Sequence, residues 1–423
     1  MRVKLSASSS KKLTVLDMEL VSPSEPIGRL RYELACELGR RGHKVVVVTP
    51  FSSRSFAVYG KENLLYRLAR WEEFDNFLVL RVLPRKSLGN TLIGKVADHV
   101  LIPISLVFWS LVAVRDVDVV HCSSPPLLLA FGACLVSAIK RVPLVVRVHD
   151  LHPDALVKMN VIKNSLLIGV LKIIEKFVYL VARRITVIAE TYKSFIISRG
   201  ISSRKVQVVP NWFQISSDSN SLTNESNHIV SKIMLEGKFA VTYGGSLYWA
   251  QDLETVIDAA YLLRQDKDIL FLIVGDGPKK QGLVERAKRL KLKNVVFIPF
   301  QSRKVYMQII HASQACIVTL NNDYTSPTLP SKVPEIMGLG KPIIVNAPYG
   351  SEVANLVGKA ACGLIVETGD PKSFAEAVLK LTREEALARK LGDNGKLFAE
   401  KYFSPTICIS KYEELLRSSK IKQ

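Results

Sequence analysis

The chain has 423 residues, too many for one ordinary core, and with 48% apolar and 23% charged residues it suits two domains of about 200 residues each. Its net charge of +20 is uneven: residues 1–210 hold 31 Lys and Arg against 16 Asp and Glu, and the remainder holds 27 against 22. A basic half of this kind seeks nucleic acid or an anionic membrane surface, and the lack of an RGG tract, zinc fingers or interleaved aromatics points away from nucleic acid. The six cysteines form no CxxC pair and no Cys/His cluster of metal spacing, which argues for a reducing compartment and against structural zinc. Residues 1–12 are polar and basic, so no signal peptide is expected there.

In chain order, Leu13 to Leu16 reads as a strand, followed by a loop and an amphipathic helix from Arg29 to Arg41 that Gly42 ends. Val45 to Thr49 is a strand without alternation, hence buried on both faces, and the three elements make a βαβ unit. No GxGxxG is present; Gly28 alone remains, which counts against a dinucleotide oxidoreductase. Val100 to Val114 is uncharged but interrupted by Pro103 and too short to span a bilayer, so it reads as a buried or membrane-surface helix. Asp118 to His121 starts another strand, Ser123 to Pro126 a turn, Leu127 to Lys140 a helix, and Leu144 to Val148 a strand ending at His149 and Asp150. Side chains just past the carboxyl ends of such strands line the ligand crevice. His149 would then bond a sugar hydroxyl or a phosphate oxygen, or else serve as a turn histidine bonding backbone; Asp150 is a site residue or a helix cap. Ser165 to Ala182 is either a helix resting on lipid or a core helix with basic edges. Ile185 to Ile188 and Val206 to Val209 are strands, and the polar stretch Ser216 to Asn227 reads as a linker.

A second βα series begins at Phe239 to Thr242, followed by Tyr243, Gly244, Gly245 and Ser246; two glycines after a strand admit a phosphate, and the serine adds a hydroxyl donor. Helices 253–263, 280–290 and 305–312 alternate with strands 269–274, 295–298 and 315–320, with turns at Gly275-Asp276-Gly277-Pro278 and at Pro299-Phe300-Gln301-Ser302. The loop from Thr325 to Pro330 exposes backbone and hydroxyls, Ser331 is a good N-cap, Lys332 to Leu339 is a short helix, and Ile343 to Val345 is a buried strand. Lys332 in the first turn opposes the helix dipole unless an anion is bound there, so it marks a phosphate site; Glu335 would accept from a vicinal diol such as a ribose. The alternative is an ordinary solvated Lys332 and Glu335 pair. The GxxxxGKS of a P-loop is absent.

Two βα domains, glycine turns, GDGP and then PSK-x-x-E-x-M-x-x-G-K-P-I-I with a later S-E resemble a family 4 glycosyltransferase of the GT-B fold over nearly the whole chain. RYELACELGRRGHKVVVVT is similar to that family's first helix and strand; VHDLHPD and AQDLETVIDAA resemble a branch of bacterial and archaeal surface-polysaccharide enzymes, the colanic-acid and fucosamine transferases among them. The resemblance implies an α/β fold of two Rossmann-like βαβ domains facing a central cleft: residues 1–210 for the acceptor, with the C-terminal helix of 405–423 packed back on it, and 211–404 for the nucleotide sugar. It implies that Gly244, Gly245, Ser246 and Lys332 hold the diphosphate, with Gly275 and Ser331 beside them. Asp276, Gly277, Phe300, Gln301 and Ser302 would meet the base, Glu335 the ribose, and Thr325, Ser326, Thr328 and Leu329 the sugar. His149 would lie near the transferred sugar, with Gly28 and Asp150 on the acceptor side. Three positions depart from the family: Pro327 stands where a glutamate is common, Gln251 near where a lysine often stands, and Ile27-Gly28 where a glycine pair is usual.

The implied reaction is a retaining transfer from a UDP- or GDP-sugar to a polyprenyl-linked glycan acceptor, for cell-surface polysaccharide or glycoprotein glycans, with neither cofactor nor metal. Asp116/Asp118 and Asp266/Asp268 read D-x-D, the pair metal-dependent sugar transferases use, but each precedes a strand and is expected to be a solvated strand start. The expected location is cytoplasmic, peripheral at the inner face of the membrane. A nucleotide-sugar epimerase of the UDP-GlcNAc type and a basic nucleic-acid-binding protein are the alternatives.

Overall fold

Continuous Val/Ile/Leu runs separated by amphipathic helices dictate parallel sheets covered on both faces, and two such sheets form. The computed structural model describes residues 12–20, 28–51, 69–84, 92–158, 161–213, 237–322 and 329–420. Contacts divide the chain into Met1–Pro210 with Cys408–Gln423, and Asn211–Ile407.

The first unit has strands β1 (Thr14–Met18), β2 (Lys44–Phe51), β3 (Ala69–Phe74), β4 (Phe77–Pro84), β5 (Val119–Ser124), β6 (Leu144–Val148), β7 (Arg184–Val187) and β8 (Val206–Val208), in the order β3-β4-β2-β1-β5-β6-β7-β8. Its helices are α1 (Arg29–Arg40), α2 (Leu92–Val112), α3 (Leu127–Lys140), α4 (Asp154–Lys158), α5 (Ser165–Val181) and α6 (Glu190–Ser198). Among the described strands only the β3–β4 pair is antiparallel. The expected elements do not include it; its signal is the Asp75-Asn76 turn between two β-rich runs. Strand β1 runs past the expected Leu16, which makes Asp17 part of the sheet and sets Glu19 at its end: Asp17 is in register with Val47 and His121, and the Glu19 N–H donates to Val48 O at 3.0 Å.

Alternation then sorts the central strands. Leu16, Met18, Val120, Cys122, Val146 and Val148 fill the apolar core under α2, α3 and α5. Asp17, Glu19, His121, Ser123, Arg147 and Thr186 are polar and almost fully buried. Tyr412 packs on this polar row from α14 (Pro405–Ser419), its hydroxyl 2.6 Å from Thr186 Oγ1, its ring edge-on to His121 and 5.2 Å from the Arg147 guanidinium. Asp118 is no idle strand start: its carboxylate accepts from the Thr14 N–H at 2.8 Å and pairs with Lys420 at 2.5 Å. All six cysteines are free and buried.

The reading of 165–182 as a core helix fails, because only Glu175, Val178 and Tyr179 of α5 are buried. Helix α2 carries Pro103 internally, and among the described residues no helix is long and apolar enough to cross a membrane.

The second unit is a six-stranded parallel sheet, β11-β10-β9-β12-β13-β14. It is wound from β9 (Phe239–Gly244), α7 (Leu253–Leu262), β10 (Ile269–Val274), α8 (Lys280–Arg289), β11 (Val295–Ile298), α9 (Arg303–Ala312), β12 (Ala315–Thr319), α10 (Lys332–Gly338), β13 (Ile343–Asn346), α11 (Glu352–Ala360), β14 (Gly363–Val366), α12 (Pro371–Arg383) and α13 (Glu385–Tyr402). Tyr243 and Gly244, expected in a loop, are the last residues of β9. The Ser216 to Asn227 linker lies outside the described residues.

On α14, burial alone would raise the Glu413 carboxyl, but hydrogen bonds from Arg41, Arg417 and His43 draw it down to about 2. A carboxyl depressed from 4.5 in this way stabilises the fold above pH 4.5 and loses that contribution as the pH falls through about 2. Thermal melts of the first domain from pH 6 downward should therefore decline more steeply in the wild type than in Glu413→Gln; parallel curves would show that the Arg41 and Arg417 contacts contribute nothing.

Candidate functional site

At the carboxyl ends of the second domain's strands, three loops are laced by backbone bonds: Gly245 N–H to Val274 O, Gly275 N–H to Ile298 O and Leu247 N–H to Asp276 O, each 2.9 Å. The approach is close enough to demand glycine. A Cβ on Gly275 (φ +150°) would lie 1.9 Å from Gly245 O, and one on Gly277 (φ +155°) 2.4 Å from Leu247 O. These contacts bring Gly245, Gly275, Asp276 and Gly277 onto one rim, and Gly245 and Ser246 are exposed there.

Lys332 reaches the same rim. Its Nζ donates to Gly244 O at 3.2 Å and lies 3.8 Å from the centre of the buried Tyr243 ring. The Tyr243 hydroxyl in turn donates to Ser246 O at 2.8 Å, bracing the turn. Burial draws the Lys332 ammonium down to about 7, against the opposing pull of Cys316. The residue as a whole is partly exposed, but its ammonium sits against Tyr243 and Gly244 O, so a lowered value is the physical expectation.

Glu335 takes an ion-pair partner from another helix. Its Oε1 accepts from Arg303 Nη1 at 2.6 Å, which ties it to the start of α9 beside Phe300, Gln301 and Ser302. Ser302 caps α9 by accepting from the Val305 N–H, the Gln301 amide bonds Pro299 O, and Phe300 is 75% exposed, a free aromatic face on the rim. Asp276 pairs with Lys280 at 3.1 Å, and that bond, with the Gly277 N–H, holds its carboxyl below the usual range.

Several expectations change. Ser331 occupies the N-cap position, but its backbone is already helical (φ −60°, ψ −20°) and its hydroxyl makes no cap bond, so the hydroxyl is not spent on the helix. Leu329 buries its side chain in the apolar cluster around Val333 and Ile336, and a sugar could meet only its backbone. Thr325, Ser326 and Thr328 lie outside the described residues. Near Gln251, Lys279 Nζ donates to Gln251 O at 3.1 Å and is neutralised by Glu254 at 2.7 Å, with the Trp249 ring 5.6 Å away. Sequence reasoning passed over Lys279, Arg303 and Tyr243; a cation directly after GDGP and another at the start of α9 were the available signals.

In the first domain, His149 follows β6, its N–H donating to Ser124 O at 2.8 Å. Its Nε2 is 3.4 Å from Ser123 Oγ, whose hydroxyl donates to Glu19 at 2.5 Å, and Glu19 pairs with Arg31 at 2.6 Å. Burial first, then the nearby Arg147 and Arg31 charges, push His149 well below the usual histidine value, so the ring is neutral at physiological pH. Burial raises Asp150 to about 6 against the Tyr192 hydroxyl, and raises Glu19 against Arg31. Gly28 is buried at the start of α1 with φ −80°, a conformation open to any residue. Asp17, Glu19 and His121 each offer one potential metal-ligand atom within 4.8 Å of the others. Each is already engaged, Asp17 with His121 at 2.6 Å and Glu19 with Ser123 and Arg31.

A "Glycosyltransferase Family 4" model matches residues 27–216 and a "Glycosyl transferases group 1" model residues 226–398. WcaI of Escherichia coli (strain K12), a glycosyl transferase named for colanic acid biosynthesis, is 24% identical over 285 residues, covering 66% of this chain and 68% of WcaI. The glycosyltransferase WbjE of Pseudomonas aeruginosa is 24% identical over 309 residues, covering 72% of this chain and 75% of WbjE. Among solved structures, Anabaena Alr3699/HepE in complex with UDP superposes with a TM-score of 0.69 at 16% identity, covering 96% of this chain and 100% of that one. The sheets, the glycine-laced rim and these consecutive matches converge: the chain belongs to the family 4 glycosyltransferases of the GT-B fold, and is an enzyme of the transferase class.

Proposed function

We propose that this transferase moves a sugar, with retention and without a metal, from a nucleoside-diphosphate sugar to a lipid-linked glycan acceptor in surface-polysaccharide synthesis. The observation that carries the reading is the Lys332 ammonium, poised on Gly244 O at the edge of a glycine rim. A partly buried cation with a backbone carbonyl and an aromatic face as its neighbours gains most from an anion such as a diphosphate. UDP in the Anabaena structure and the polysaccharide named for WcaI agree with this donor and product class.

In the proposed reaction the bond from sugar C1 to the phosphate oxygen breaks, and its electron pair goes to the leaving diphosphate. Lys332 and the amide of Ser246 in the glycine turn stabilise that charge where it develops. The acceptor hydroxyl bonds to C1 and its proton passes to the released phosphate. The Arg303-braced Glu335 carboxylate accepts from the ribose diol, and the exposed Phe300 face stacks with the base. Neutral His149, backed by Ser123 and Glu19, offers a ring nitrogen to a sugar hydroxyl.

The Lys332 value of about 7 lies below the usual 10.5, so the charged form weakens the ligand-free domain below pH 7, and the cost fades as the pH rises toward 10.5. Lys332→Met should thus melt higher than wild type at pH 7 without ligand, yet bind UDP about tenfold to a hundredfold more weakly by calorimetry. Unchanged UDP affinity would remove Lys332 from the donor site. UDP or GDP binding should persist in excess EDTA, and loss of binding on chelation would contradict a metal-free site. His149→Gln should lower kcat by about tenfold or more while leaving UDP affinity unchanged; an unaltered kcat would return His149 to a structural role.

A further inference from the structure

Most of the exposed large apolar side chains among the described residues of the first domain lie on three neighbouring helices. On α5, Leu166, Val170, Ile173, Phe177 and Leu180 recur every three to four residues, which places them on one stripe opposite the buried Glu175, Val178 and Tyr179. This helix is apolar inside and outside, and Leu166 and Ile173 are 77% and 71% exposed. On α3 the exposed stripe is Phe131, Leu135 and Ile139; on α2 it is Val100, Ile104, Phe108 and Val112. The stripes adjoin. Phe131 meets Phe177 with ring centroids 5.6 Å apart, and a Cβ on Gly132 of α3 would lie 2.6 Å from Val107 of α2, so those two helices are in intimate contact. Lys140 at the end of α3 fastens the pair further, donating to Val114 O at 2.6 Å just past α2. Scattered exposed apolar residues are ordinary, but a continuous face over three helices marks an interaction surface.

Its charge selects the occupant. Lys172 and Lys176 line the flank of α5 beside the apolar stripe, Lys163 and Arg183 stand before its start and past its end, and Arg115 and Arg141 follow α2 and α3, all exposed; of these Lys172 also pairs with Asp154 at 3.8 Å. Among the described side chains, these three helices expose no carboxylate: the acid of α5, Glu175, is buried on Arg199. A pocket of about 350 Å³ opens on the same flank, lined by Lys172, Glu175, Lys176, Tyr179, Arg199 and Ile201. Among the described side chains of these three helices, a second copy of this chain would bring the same cations and no exposed carboxylate to answer them. No described helix is built to span a bilayer.

We propose that the α2, α3 and α5 face seats on an anionic lipid bilayer, the apolar stripes entering the acyl boundary and the basic flank engaging lipid phosphates. The seating deepens the acceptor half of the proposed function, since a lipid-linked acceptor is met at that surface, but its evidence is independent of the donor rim. The full chain is tested by co-sedimentation with phosphatidylcholine vesicles with and without phosphatidylglycerol, at low and high salt. Wild type should bind the anionic vesicles and be released by salt. The double variant Leu166→Asp/Ile173→Asp should lower the bound-to-free ratio about tenfold or more, and Lys176→Glu about fivefold or more, with melting temperature and UDP affinity unchanged because the altered side chains are exposed. No binding of wild type to anionic vesicles, or binding indifferent to both variants, overturns the proposal. So does a concentration-dependent dimer that the double variant dissociates, which would assign the face to a second copy. Vesicle binding without UDP binding would instead sink the donor reading and leave this one standing.

Discussion

A lysine ammonium held on a strand-end carbonyl sets the terms for the second domain. Lys332 Nζ needs partners, and the fold supplies the Gly244 carbonyl and the face of Tyr243, neither of which neutralises a charge. The rest of the rim is arranged around that incomplete satisfaction. Gly244 leaves room for the Tyr306 ring, which a Cβ would meet at 2.1 Å, and Gly275 lets the β10 turn come down onto the β9 turn. Replacing either glycine would move the carbonyl that positions the cation. The nearby polar groups are tied down as well: Asp252 caps α7 while accepting from Asn346 and from the Gly369 N–H, so the loops after β9, β13 and β14 share one carboxylate. A rigid, partly charged rim of this kind stabilises charge in a leaving group with little reorganisation.

The first domain meets the opposite problem, too many buried polar groups on one sheet face. Asp17, Glu19, His121, Ser123 and Arg147 would be costly if left unpaired, and the structure answers with mutual bonds and with the Tyr412 lid. The C-terminal helix is therefore part of this domain's core. One consequence reaches the site: burial, reinforced by the Arg147 and Arg31 charges, keeps His149 neutral, able to accept as well as donate. The outer helices are the converse case, with apolar side chains presented to solvent and cations beside them.

Much of this was legible in the sequence because parallel sheets announce themselves. Strands at Ile269–Val274 and Val295–Ile298 fall where the apolar runs predict, and the glycine turns mark their carboxyl ends. Lys332 stood out as a cation in the wrong turn of a helix. What stayed hidden was pairing across the chain. Nothing near Glu335 announces Arg303, thirty-two residues away, and nothing in the Ser123 turn announces Glu19, because such partners are set by sheet order and not by local pattern. The β3–β4 hairpin was missed for the opposite reason: its alternation is local but weak, with β3 half exposed along its length. Leu329 read as a loop residue by its proline neighbours, and only packing shows it turned inward.

The central claim is that Lys332 is a destabilised cation awaiting a diphosphate. Titrating the Lys332 ammonium by NMR, with and without UDP, tests it directly. A midpoint near 7 is expected in the free protein, with a clear rise on adding UDP. A midpoint at the ordinary lysine value that UDP leaves unmoved would contradict it.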